Sequence, residues 1–208
     1  MLAWHFLPED KRLGYGDGRL VEVGVPLECE GNLALCSNGM HGSVRLIDAL
    51  HYASGPIVCR VEIEGDIIES DDKLCGRRRT VLWMLDATRI LHEFACECAE
   101  GALALVDELD FYSAAAIAAK RKWLNGEITD DELAAVRADA ARAAVRAAAW
   151  ADIRNAECAA DAAARSAASE AAWATSDDAA RAASWSAARA QQNERLTEMV
   201  MAAHDSTH

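Results

Sequence analysis

The chain has 208 residues and a net charge of −13, with a mean hydropathy close to zero. That length suits one large domain or two small ones. The charge argues against nucleic acid as a partner, because an acidic chain releases few phosphate counterions and repels the backbone. No run of eighteen apolar residues occurs without a charge, so no membrane span is expected.

Composition divides the chain. Residues 1–110 hold nine alanines and residues 111–208 hold 36. Alanine buries little area, so the second half has a weaker hydrophobic drive than its apolar percentage suggests. The expected organisation is an acidic α+β domain over 1–110, with a small mixed or antiparallel sheet, followed by an all-α, alanine-rich bundle over 111–208. The acidity is uneven too: 20 acidic and 10 basic side chains before residue 111, against 14 and 11 after it.

In chain order, "LAWHF" at 2–6 predicts a short strand. A polar, Gly-rich segment leads to "RLVEVGVPLE", whose alternation predicts a half-buried strand. "NLALCSNG" reads as another strand ending at the Asn38-Gly39 turn, which places His41 in a turn. Ser43 is a suitable N-cap for a helix over "VRLIDALHYA", stopped by Gly55-Pro56. "IVCRVEIEGDII" is the strongest strand pattern, with Ile57, Cys59, Val61 and Ile63 on one face. After the turn "ESDDKLCG", "RRRTVLWML" predicts its partner, with Arg77–Arg79 protecting a solvated strand edge.

Asp86 can cap a long helix from Ala87 to Leu109 that packs on the sheet. Asn125-Gly126 predicts a helix end. Thr129 and Glu132 form a capping box for the next helix. Further breaks are expected near 155 and 175. Three tryptophans recur in the tail, at Trp150, Trp173 and Trp185, two of them four residues after an arginine. They are expected to fill the bundle core, and exposed copies would serve as partner anchors.

Seven cysteines, an odd number, and an opening stretch without a signal-peptide pattern suggest free thiols in a reducing cytoplasm. Cys29, Cys36 and His41, and likewise His92, Cys96 and Cys98, lack zinc-knuckle spacing, so no metal site is expected. His41 stands between glycines, where a ligand can approach closely.

The stretch "LCSNGMHGSVRLIDALHYASGPIVCRVEIEGDIIESDDK" resembles an uncharacterised domain family common in bacteriophage genomes. The pattern falls here on Cys36, Gly39, His41, Ala49, Leu50, Tyr52, Gly65 and Lys73. The tail resembles the alanine-rich repeats of immunity-protein domains of phages and actinobacteria. These resemblances imply a phage accessory protein, a class rich in inhibitors of host defence. A second likeness is to ADP-ribosyltransferase-like folds, which would cast His5 or His41, Tyr52, and Glu62 or Glu64 as NAD-contacting and catalytic groups.

The leading expectation is a non-enzymatic protein that binds and inhibits a host protein, such as a CRISPR-type effector with a basic groove, in the host cytoplasm. Trp150, Trp173, Trp185, Asp71 and Asp72 would contact that partner, and no cofactor is needed. A homodimer through the alanine-rich helices is a further expectation. The alternative is an NAD- or nucleotide-binding enzyme centred on His41, Tyr52 and Glu62.

Overall fold

A computed structural model describes residues 1–104, 111–142 and 178–207. It divides into two compact units, Met1–Thr88 with Leu196–His208, and Arg89–Arg195.

The first unit is α+β and built on a five-stranded sheet. Its strands are β1 (Leu2–Leu7), β2 (Pro26–Glu28), β3 (Met40–Gly42), β4 (Ile57–Glu69) and β5 (Leu74–Asp86), with one short helix, α1 (Leu46–His51). All named pairings are antiparallel, in the order β1-β4-β5-β2, with β3 also on β5. The β4–β5 hairpin is the frame. Its alternation puts Cys59, Val61 and Ile63 inside with Ala3, Leu7, Val21, Leu74 and Val81. Two register shifts, between Arg60/Val61 and Glu64/Ile67, bend the hairpin.

The bend lets the sheet close on itself. Ser43, just after β3, exchanges both backbone hydrogen bonds with Trp4 of β1, at 2.8 and 2.9 Å. Only glycine fits at the closure. A Cβ on Gly42 would stand 2.9 Å from Ile63 Cδ1 and 3.1 Å from the Trp4 carbonyl oxygen.

Several expectations change here. Ser43 serves this closure and caps nothing: α1 starts after Arg45 and has no side-chain cap. His41 lies in strand β3, opposite Cys75. The strand expected over 19–28 survives only at Pro26–Glu28, because Leu20 and Val23 each make single bridges. Residues 34–38 form a turn, closed where Asn38 N–H donates to the Ala34 carbonyl at 2.9 Å. The arginine run is not on a strand edge. Residues 78–80 of β5 lie between β4 and β2, and Arg79 is buried.

The end of the C-terminal helix, α5 (Asp178–Asp205), also belongs to this unit. Leu196 and Val200 are buried, and the His204 ring lies 4.2 Å from that of Trp83. Trp83 meets Trp4 edge-on at 5.7 Å, and Arg60 covers Trp4 at 4.6 Å.

The second unit is helical where described. It holds α2 (Thr88–Leu103), α3 (Phe111–Leu124), α4 (Asp130–Arg142) and the start of α5. α3 ends at Gly126, whose φ of +75° permits the left-handed cap. α4 begins with the expected capping box: Thr129 N–H donates to Glu132 at 2.8 Å, and Glu132 N–H returns to Thr129 Oγ1 at 3.3 Å. Alanine permits close approach, so Ala116 and Ala119 pack with Leu133, around Trp123 and Val136. Trp123 Nε1 donates to Asp130 at 2.6 Å, and Arg195 grips Glu97 with two bonds of 2.7 Å. The breaks expected near 155 and 175 lie outside the described residues. Among the described residues, no helix is long and apolar enough to cross a membrane.

Candidate functional site

The first unit carries a surface cleft of about 220 Å³, walled by Val44, Arg45 and Asp48 on one side and by the turn from Glu69 to Leu74 on the other. The wall at α1 is fixed by an ion pair. Asp48 has a side chain only 6 % exposed, and Arg45 holds it with bonds of 2.6 and 3.1 Å. A carboxylate this buried needs such a partner. The opposite wall is a tight turn, in which Ser70 N–H donates to the Lys73 carbonyl at 2.8 Å.

A polar chain joins the two walls. Tyr52, just after α1, donates its hydroxyl hydrogen to Asp72. Lys73 Nζ donates to the Tyr52 oxygen at 3.1 Å and lies 4.5 Å from the ring centre. The Cys36 thiol neighbours the same ammonium. Burial and the Asp72 bond raise the Tyr52 pKa, while Lys73 opposes them. The Cys36 and Tyr52 contacts push the Lys73 pKa above its usual value, so the ammonium stays charged.

His41 supports this cluster from behind. Its Nε2 accepts the Cys36 N–H at 3.1 Å, and its ring also bonds the Gly39 backbone. Nε2 is therefore engaged by the 36–39 loop, and Cys36 adopts a left-handed φ of +66° within it. Burial lowers the His41 pKa, against the Gly39 bond and with help from the Arg79 and Lys73 charges. A neutral ring whose Nε2 lone pair accepts the Cys36 N–H positions that loop.

Among the residues singled out from sequence, Cys36, His41, Tyr52, Asp72 and Lys73 come together. Asp71 stands exposed on the same turn. Glu62 does not join them. It is exposed on β4, opposite Leu2 and Thr80, and bonds neither His41 nor Tyr52. Glu64 faces Arg78 at 3.5 Å, and His5 sits on β1 opposite Cys59. The NAD constellation of His41, Tyr52 and Glu62 is thus not a single cluster in this fold. Trp150 and Trp173 lie outside the described residues. Trp185 lies on α5, half-buried. Among the described residues, no group of three or more His, Cys, Asp or Glu could hold a metal ion.

Two features escaped the sequence reading. The Arg45–Asp48 pair stood in plain view at i,i+3 spacing, a known helical signal. Arg79 was also legible, because strand alternation sets it on the same face as the buried Val81.

Residues 6–93 match a family model described as a domain of unknown function (DUF7666). The first unit is therefore similar, over most of its length, to an uncharacterised domain. No curated protein matches the chain. No solved structure matches it either.

Proposed function

We propose that the chain is a non-enzymatic binding protein that uses the acidic rim of this cleft to take hold of a basic protein surface. One observation carries the reading: Glu69 and Asp71 are exposed beside Asp72 on a turn clamped by Tyr52 and Lys73. A rigid negative edge loses little conformational entropy on docking. The net charge of −13 adds long-range attraction toward a basic partner.

The proposed partner is a host protein whose basic groove normally holds nucleic acid, such as a defence effector, met in the host cytoplasm. The resemblance of residues 36–73 to a phage domain family supports that choice. The test is paired capture from bacterial lysate on the immobilised wild-type chain and on the Glu69→Lys/Asp71→Lys variant. A basic protein held at stoichiometric level by the wild type, lost on the variant and displaced by duplex DNA is the expected result. Equal retention on both chains, or indifference to DNA, contradicts the proposal.

A further inference from the structure

The arginine run is not absorbed by the acidic rim. Arg77 lies 3.6 Å from Asp66, and Arg78 lies 3.5 Å from Glu64. Arg79 differs from both. It is 3 % exposed, and among the described residues no carboxylate lies within ion-pair distance of it. Its Nη1 donates to the His41 carbonyl at 2.7 Å, while Nη2 is buried with no hydrogen-bond partner.

That arrangement is costly. A buried guanidinium keeps its charge and offers five donors, and an uncompensated buried charge destabilises a fold by several kcal/mol. Folded proteins meet such groups with a carboxylate, an ion or a water.

The surroundings favour an ion. Arg79 projects from the inner face of the sheet, where His5 and Cys59 feel its charge. The segment 8–25 lies over this face: Val21 is buried in the cluster that holds Val61 and Val81, with Leu13 packed on it. It carries three further cations, Lys11, Arg12 and Arg19, beside four carboxylates, Glu9, Asp10, Asp17 and Glu22, none of which pairs with Arg79. Asp17 on the same segment senses Arg79 but is already gripped by Arg19, with two side-chain bonds of 2.7 Å. Most backbone bonds of residues 8–21 are internal, such as Leu13 N–H to Arg19 O and Val21 N–H to Lys11 O, both 2.9 Å.

We propose that Arg79 forms the floor of a small oxyanion site beneath the 8–25 segment, with His5 and Arg19 beside it, and that a phosphate or carboxylate group is its ligand. Nη1 is held by the His41 carbonyl, so Nη2 is the donor left to an oxyanion, in a charge-assisted hydrogen bond. The site is separate from the acidic rim and does not depend on the protein-binding reading.

The experiment is thermal unfolding of the full chain in rising inorganic phosphate, and separately in rising acetate, at constant ionic strength set with chloride. Wild type, Arg79→Met and Arg79→Lys are compared. Wild type gains a saturable rise in Tm of about 5 °C with at least one of the two anions. Phosphate acting alone assigns a phosphoryl ligand, and acetate acting alone assigns a carboxylate. Arg79→Met shows no anion response, and without anion its Tm is at least that of wild type, since an unpaired buried charge is gone. Arg79→Lys keeps the charge without the Nη2 donor and needs about tenfold more anion for the same rise; it decides the matter should the Met variant fail to fold. No saturable rise with either anion, or an equal rise in the Arg79 variants, overturns the proposal.

Discussion

Replacing Gly76 with alanine tests the closed sheet most sharply. Gly76 sits on β5 between Met40 of β3 and Ile67 of β4. An added Cβ would stand 2.5 Å from Ile63 Cγ2, 2.9 Å from the Glu64 carbonyl oxygen and 3.5 Å from that of Asp66. An ordinary carbon–carbon contact is about 3.5–4.0 Å, so at least ~1 Å of movement is required. Ile63 is fully buried, and its Cγ2 is a branch methyl next to the backbone, not the far end of a flexible side chain. The Glu64 oxygen belongs to a strand and moves only with its backbone. Overpacking of this kind costs about 1–3 kcal/mol, and involvement of backbone puts Gly76→Ala near the upper end. Gly101→Ala is the control: nothing lies within 4 Å of its Cβ position, and it lies in α2. There alanine is favoured over glycine by about 1 kcal/mol. Urea unfolding followed by circular dichroism should show a lower midpoint for Gly76→Ala and an equal or higher one for Gly101→Ala. A Gly76→Ala midpoint equal to that of wild type would refute the close packing on which the closure rests.

Other outcomes follow from the same geometry. The His5 pKa is held well below 6.5 by burial first, then by the Arg79 and His41 charges. The unfolded chain therefore takes up this proton near pH 6.5 while the fold resists it, and stability falls as pH drops below 6.5 toward the folded value. His5→Phe should flatten that fall between pH 7 and 5 in urea titrations, and an unchanged slope would contradict the burial. Thr129→Ala removes the box at the start of α4 and should lower the thermal midpoint by about 2–4 °C, with faster amide exchange confined to the first turn of α4. Tyr52→Phe deletes the hydroxyl between Lys73 and Asp72. That site is half-exposed, so unfolding should change by less than about 0.5 kcal/mol. Affinity for the basic partner should nevertheless drop severalfold as the turn loosens.

The parts legible in the sequence were those governed by local periodicity. The alternation over 57–63 gave β4, the Thr129/Glu132 spacing gave the start of α4, and Asn125-Gly126 marked the end of α3. The parts that were not legible depend on contacts distant in sequence. Ser43 has the chemistry of a cap, but the fold uses its backbone to close the sheet against Trp4, 39 positions away. His41 looked like a turn residue because glycines flank it; pairing with Cys75 makes it a strand residue. The run Arg77–Arg79 looked uniform, yet alternation sends Arg79 inward and Arg78 outward to Glu64, while Arg77 stands opposite the register shift between Glu64 and Ile67 and reaches Asp66. The meeting of Cys36, Tyr52 and Lys73 spans 37 positions, and no spacing rule in the sequence announces it.

The most direct trial of the binding account is the dissociation constant of the chain with its captured basic partner, followed from about 50 to 500 mM salt. Attraction through the 69–72 turn predicts steep weakening across that range. It also predicts a shallower slope and lower affinity for Glu69→Lys/Asp71→Lys. A constant that ignores salt, or a double variant that binds as the wild type does, would show that the acidic rim is not what holds the partner.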